Sequence, residues 1–346
     1  MTQEKINAYI LKKNNSKLKL VKDLYFPKLK KGQILVELIY TTVCGSQIME
    51  IKGKRGRDKY LPHGLGHEGT AKVIKTASDV KKVKKKDKII LTWIKSRGNN
   101  CGGIKIKDKK NKKYNFGPIT TFSNFSIISE NRCVKKPKGL SDELAAFFGC
   151  SISTGFGVVY NTIPKKKSNI SIGIFGLGSV GFFSLIAAKC LRLKNIFVFE
   201  KDPNRKKIAK KLGAQIINIK NAKREILKKN NNRLLDYCYE SAGYAKTIEK
   251  AFDLINLNGK CFTTSHPAEK EILKINPHEL IKGKKIFGSW GGYTQPETDF
   301  VKFTRILNKN RKYLRFLKNK KYNFNQLNDA IFDFSKNKII KPLIKC

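Results

Sequence analysis

The sequence predicts a mixed α/β chain of two domains: a mostly β domain, and a doubly wound parallel sheet with helices on both faces. Three observations carry this. At 346 residues the chain is longer than one ordinary core accommodates. Its first 150 residues hold short β-branched and alternating apolar runs, separated by Gly, Pro, Asn and Lys. From about residue 169 strand-like runs alternate regularly with helix-like ones.

In the first region "INAYIL", "QILVELIYTTV", "TAKVIKTA" and "DKIILTWI" are the expected strands, together forming a compact barrel-like domain. "NISIGIFG" then reads as a strand running into a turn, "SVGFFSLIAAKCLRL" as a helix, "IFVFE" as a strand and "PNRKKIAKKLGA" as a helix closed by glycine. "QIINI", "LLDYCYESAG", "GKCFTTS" and "KKIFGSW" are further strands, with helices at "NAKREILKKN", "AKTIEKAFDLI" and "NPHELIKG". This alternation implies βαβ units. The last 50 residues read as an irregular mix.

Hydrophobic residues make up 40% of the chain, which excludes a disordered one. No apolar run of about 18 residues is present, so no membrane span is expected. The start, "MTQEKINAYILKKNN", lacks the apolar stretch of a signal peptide. The eight cysteines show no CxxC and no regular spacing, so a disulfide framework is not expected and the reduced cytoplasm is the expected compartment. The net charge of +47 raises a polyanion or nucleic-acid reading. However, the lysines are spread over the whole chain. The runs "KKVKKKDK" (81–88), "KIKDKKNKK" (105–113) and "PKKKS" (164–168) fall where loops are expected, which makes them solvated faces.

Residues 176–181 read "GLGSVG" between an apolar strand and an apolar helix. Gly176 permits the tight turn, Gly178 lets backbone approach a pyrophosphate, and Gly181 lets helix pack on strand. Ser179 and Val180 open the helix, whose free N–H groups favour phosphate. Glu200 ends the next strand, at the distance where a carboxylate accepts a ribose 2′-hydroxyl and repels a 2′-phosphate. NAD is therefore expected over NADP, with Lys201 and Arg205 close behind keeping NADP open.

The stretch "PHGLGHEGT" (62–70) holds two of the chain's four histidines. A catalytic zinc takes three protein ligands and one open position. Cys44, His67 and Cys150 could supply two thiols and an imidazole, but residues so far apart read more readily as core cysteines and a turn histidine. The ordered words "VCGSQ" (43–47), "GHEGT" (66–70), "GCSISTGFG" (149–157), "GLGSVG" and "FEKDPNR" are more specific. Together they resemble the medium-chain dehydrogenase/reductase family, the zinc-dependent alcohol dehydrogenases, over essentially the whole chain.

The resemblance implies a GroES-like catalytic domain over residues 1–151 and 291–346 and a Rossmann cofactor domain over 152–290. It makes Cys44, His67 and Cys150 the catalytic zinc ligands and Glu68 the carboxylate beside the metal. Ser46 becomes the hydroxyl that starts the proton relay, and Thr154 the residue packed on the nicotinamide. Lys341, in "IIKPLI", aligns with a basic residue that approaches the cofactor pyrophosphate, and His266, in "TTSHP", is a candidate for the ribose or the relay. The implied reaction is hydride transfer between an alcohol, sugar-like or otherwise polar, and NAD, in a homodimer or homotetramer.

The sequence departs from the family in four places. The stretch matching the lobe of a second, structural zinc (96–118) has one cysteine, Cys101, so that zinc is not expected. Gln47 replaces a frequent aspartate and Met49 an outer relay histidine. Cys150 stands where polyol dehydrogenases often have glutamate. His63, flanked by Pro and Gly, reads as a loop residue. Trp93 is open between pocket wall and core, and Trp290 reads as packing. Two alternatives stand beside the main reading: a zinc-free enone or quinone reductase on the same fold, and a polyanion-binding protein on a dehydrogenase scaffold.

Overall fold

The computed structural model describes residues 5–164, 169–317 and 320–346; the lysines of the 164–168 run lie outside them. Two compact units are present. The first comprises Met1–Cys150, Gln295–Arg305 and Lys318–Cys346, and the second Ser151–Thr294 and Ile306–Leu317.

The first unit opens with strands β1 (Ile6–Leu11), β2 (Lys19–Leu24) and β3 (Gln33–Thr42), a short helix Gly45–Ile51, and β4 (His63–Gly64). There follow β5 (Gly69–Thr76), β6 (Lys88–Leu91), β7 (Ile104–Lys107), β8 (Lys113–Gly117), β9 (Phe125–Ser129) and β10 (Cys133–Lys135). One sheet has the order β2-β1-β4-β8-β7. Its core is Ile6, Ala8, Ile10, Ile104, Ile106, Tyr114 and Phe116.

The lysine-rich run at 105–113 is thus not a plain loop. Ile104 and Ile106 point into this core and Lys105 and Lys107 point out, the period-two pattern of a half-buried strand. The turn between β7 and β8 is tied by Asp108, which accepts from the N–H groups of Lys110 (2.9 Å) and Lys112 (3.0 Å) and from the Tyr114 hydroxyl (2.9 Å). Lysine density hid the alternation.

The chain then enters the second unit: β11 (Ser171–Phe175), β12 (Asn195–Phe199), β13 (Gln215–Ile216), β14 (Leu235–Glu240), β15 (Ile255–Thr263) and β16 (Lys285–Gly288). Their order is β13-β12-β11-β14-β15-β16, and every pairing is parallel. Helices Ser179–Cys190, Pro203–Lys211, Ala222–Lys229 and Ala245–Asp253 supply the crossovers. The strand order reverses between β11 and β14, the switch point where such sheets bind ligands at their carboxyl ends.

The final region is more regular than its composition implies. It contains helices Pro296–Lys309 and Leu327–Ser335 and strands β17 (Lys321–Asn323) and β18 (Leu343–Lys345). These last strands extend the first unit's larger sheet, ordered β10-β6-β5-β3-β18-β17 with β9 also on β3. Strand β18 is three residues long and finds its partner β3 some 300 residues back, a pairing that local pattern does not reveal.

Candidate active site

Strand register brings the sulfur and imidazole groups together. β3 runs antiparallel to β5 with Thr41 opposite Gly69. Cys44, just past the end of β3, and His67, just before β5, therefore meet at one edge of the sheet. β5 in turn pairs with β6 through Gly69 and Leu91. The next residue, Thr92, donates its hydroxyl to the Gly149 carbonyl at 2.8 Å, which carries Cys150 to the same edge. Cys150 lies in a π-helical segment, Phe148–Phe156, a geometry that is rare and concentrated at functional sites.

Cys44, His67 and Cys150 each present one ligand atom, and the three atoms lie within 4.8 Å of one another. The sulfurs are 3.8 Å apart. Two sulfurs on a tetrahedral zinc with bonds of ~2.3 Å are separated by ~3.8 Å, so the pair fits that ion. His67 Nε2 is buried without a hydrogen-bond partner, as a nitrogen held for a metal would be. A hydrogen bond from Cys150, aided by His67 and Lys341 and opposed by burial, holds the Cys44 thiol well below its usual range. The same bond, with burial, pushes Cys150 up. Gln47 braces the ligand loop: its Oε1 accepts the Cys44 N–H at 2.8 Å. Ser46 sits half-buried in the first turn of helix Gly45–Ile51, two residues from Cys44.

In the second unit the turn after β11 has the geometry of a phosphate cradle. Gly176 is at φ +79°, and a Cβ on Gly181 would lie 1.9 Å from the Gly176 carbonyl. A Cβ on Gly178 would meet nothing within 4 Å, and this glycine caps the helix on which Ser179 and Val180 are the first residues. Glu200 closes the turn: Oε2 accepts the Leu177 N–H at 2.6 Å, and Oε1 accepts those of Lys201 (2.7 Å) and Asp202 (2.9 Å). Lys201 is exposed, and Arg205 opens the next helix with its N–H capped by Asp202. The Thr154, Thr263 and Ser289 hydroxyls are buried without a hydrogen-bond partner. The exposed His266 stands edge-on to Trp290, ring centroids 6.4 Å apart. Open backbone, a carboxylate at the turn and polar atoms awaiting partners fit a dinucleotide.

Residues 30–138 match the alcohol dehydrogenase GroES-like domain family, and residues 179–309 the zinc-binding dehydrogenase family. The chain belongs to the zinc-type alcohol dehydrogenases. It is similar to alcohol dehydrogenase 6 of Peromyscus maniculatus, 26% identical over 294 residues, 77% of this chain and 78% of the relative. It is similar also to S-(hydroxymethyl)glutathione dehydrogenase of Photobacterium damsela subsp. piscicida, 24% identical over 77% of this chain and 80% of the relative. Its fold is that of benzyl alcohol dehydrogenase from Acinetobacter calcoaceticus, with a TM-score of 0.85 at 23% identity over 99% of both chains. The protein is therefore an oxidoreductase of the alcohol dehydrogenase type, with a GroES-like domain and a Rossmann-like parallel sheet.

Several side chains of this alcohol dehydrogenase lie where the sequence did not place them. Lys341, expected at the cofactor pyrophosphate, instead reaches Glu68: Nζ is 2.5 Å from Oε1, and both side chains are 0% exposed. Burial pulls the Lys341 ammonium down, but Glu68, Cys44 and Cys150 outweigh it and raise its pKa. His63 is no loop residue; it is buried in β4 and bound to Asp58 at 2.8 Å. The Trp93 carbonyl accepts from the half-buried Arg132 guanidinium. Cys101 donates its thiol to the Lys31 carbonyl.

Glu240 belongs to none of the motifs named above. Burial pushes its carboxyl up, against hydrogen bonds from Ser265, Thr247, Gly243 and Ala242. Those bonds fix the turn after β14, whose Ala242 packs against Gly176. The signal was present in "YESAG", an acidic residue at a strand end followed by a small-residue turn.

Proposed function

We propose that this dehydrogenase holds one zinc on Cys44, His67 and Cys150 and uses NAD to oxidise a small polar alcohol, sugar-like or another primary or secondary one. The convergence of two sulfurs and an unpartnered imidazole nitrogen carries this reading. The same convergence argues against the zinc-free reductase, which has no use for the trio. When bound, zinc supplies a Lewis acid for the substrate oxygen and NAD the hydride acceptor.

The chain supplies position and charge. Ser46, beside Cys44, takes the alcohol proton on its hydroxyl. Met49 cannot carry it further, so it leaves through water or the cofactor ribose. Glu68, held by Lys341, sets the field beside the ligands, and Thr154 offers its hydroxyl at the nicotinamide. Gly176, Gly178, Gly181 and the N–H groups of Ser179 and Val180 receive the pyrophosphate, with His266 at the ribose end.

No helix among the described residues is long and apolar enough to cross a membrane. Eight free cysteines support a reducing, cytoplasmic setting. Exposed Leu280, Ile281, Phe287 and Trp290 around edge strand β16 support a homodimer or homotetramer.

Metal analysis of the purified protein, followed by an NAD-reduction screen over alcohols, tests the proposal. Activity that is independent of zinc overturns it. Cofactor choice has a separate test in Glu200→Ala. Removing one charged acceptor at the ribose site is expected to cost NAD about 10- to 100-fold in kcat/KM, equivalent to ~1.5–3 kcal/mol, and to narrow the gap to NADP. A wild type more efficient with NADP shows that Glu200 does not select the cofactor.

A further inference from the structure

A second cluster of metal-ligating side chains lies in the first unit, apart from the Cys-His-Cys trio. Glu50 from helix Gly45–Ile51, Asp58 from the loop after it and His63 from β4 each offer one ligand atom, and the three atoms lie within 4.8 Å of one another. The His63 side chain is 8% exposed, Asp58 10% and Glu50 27%.

Each of these side chains has one atom facing the others and one held from outside. His63 Nε2 faces Asp58 Oδ2 at 2.8 Å and Glu50 Oε1 at 3.8 Å. His63 Nδ1 is 3.0 Å from the Gly64 carbonyl. A carbonyl only accepts, so Nδ1 carries the proton and the lone pair of a neutral ring belongs to Nε2. The outer oxygen of Asp58, Oδ1, accepts the Tyr60 N–H at 2.9 Å. The outer oxygen of Glu50, Oε2, faces the Arg55 guanidinium at 3.7 Å. The loop is fixed in turn by Asn115, whose N–H donates to the Pro62 carbonyl at 3.1 Å and whose side chain donates to the Tyr60 carbonyl at 2.5 Å.

Three inward donors, each oriented by an outer partner, are how proteins build metal sites. On a zinc with bonds of ~2.0–2.1 Å, nitrogen and oxygen ligands are ~3.3 Å apart, midway between the two separations seen here. One imidazole and two carboxylates suit zinc and its first-row divalent neighbours. Without a cation, the same geometry requires a proton on Nε2, shared with Asp58.

We propose that Glu50, Asp58 and His63 form a second divalent-metal site, independent of the Cys-His-Cys site, in which the cation takes the place of the Nε2 proton. The site clasps the last turn of the helix that begins beside Cys44 to the strand that leads to His67. The cation therefore ties together two segments that present the catalytic side chains.

Zinc titration against a chromophoric chelator, on the full chain, tests this. Wild type is expected to bind two equivalents, and Cys44→Ala, Asp58→Asn and His63→Gln one each. The double variant Cys44→Ala/Asp58→Asn is expected to bind none. With cobalt, Asp58→Asn keeps the sulfur-to-metal charge-transfer band and Cys44→Ala loses it, which separates failure of this site from failure of the sulfur site. Glu50→Gln, at a partly exposed position that leaves folding intact, is expected to weaken binding at this site at least about tenfold. An Asp58→Asn variant with wild-type stoichiometry, or a folded Cys44→Ala that binds no zinc, overturns the proposal.

Discussion

Cys44→Ala is expected to remove the zinc of the sulfur site and to lower kcat/KM for alcohol oxidation at least about a thousandfold, the equivalent of ~4 kcal/mol of transition-state stabilisation. Strand register sets this outcome. Thr41 opposite Gly69 places residue 44 beside residue 67 whatever side chain it carries, so alanine leaves the sheet edge in place and deletes one donor. The Gln47 brace is also preserved, because it holds the Cys44 backbone N–H rather than the sulfur. Loss of the sulfur-site zinc, one equivalent, with retained structure is then the expected phenotype, read by metal analysis and circular dichroism together. Cys190→Ala is the control. Cys190 ends helix Ser179–Cys190 in the other unit, and burial raises its thiol to about 12, so it is an inert sulfur. Its zinc content and rate should match wild type. Equal activity of Cys44→Ala and wild type would remove the metal from the reaction.

The contrast between these two cysteines shows what the sequence revealed and what it did not. The glycine turn was legible because every determinant is local: strand, turn, helix and Glu200 fall within about 30 residues, the length of a βαβ unit. The sulfur and imidazole groups were legible only through resemblance, because their convergence depends on β3, β5 and β6 adopting one register. His63 was misread because Pro62 and Gly64 are turn residues by local preference, yet β4 pairs with both β1 and β8 and buries the imidazole. The β7–β8 hairpin was obscured by lysines, although its isoleucines alternate correctly. The partner of Lys341 lay furthest from view. It is 273 residues away, just before β5, a contact that the last 50 residues give no local reason to expect.

That pair carries the largest expected effect on stability. Lys341→Met is expected to destabilise the first unit by about 3–5 kcal/mol, the cost of breaking a buried ion pair by removing one partner. Glu68 is 0% exposed, so without the ammonium its carboxylate is left in a medium that solvates it poorly. In a unit of this size the loss corresponds to a fall of the melting temperature on the order of 10 °C. The double variant Glu68→Met/Lys341→Met removes both charges and keeps similar volume, so it should recover most of that stability. It should not recover activity, because Glu68 neighbours His67 and the Lys341 charge bears on both site cysteines. The two readouts therefore separate. Calorimetry reports the buried carboxylate deprived of the Lys341 ammonium, which only the single variant carries, and kcat/KM reports the field at the ligands, which both variants change. A single variant as stable as wild type would mean that water reaches Glu68. A fully active double variant would mean that the pair is structural alone.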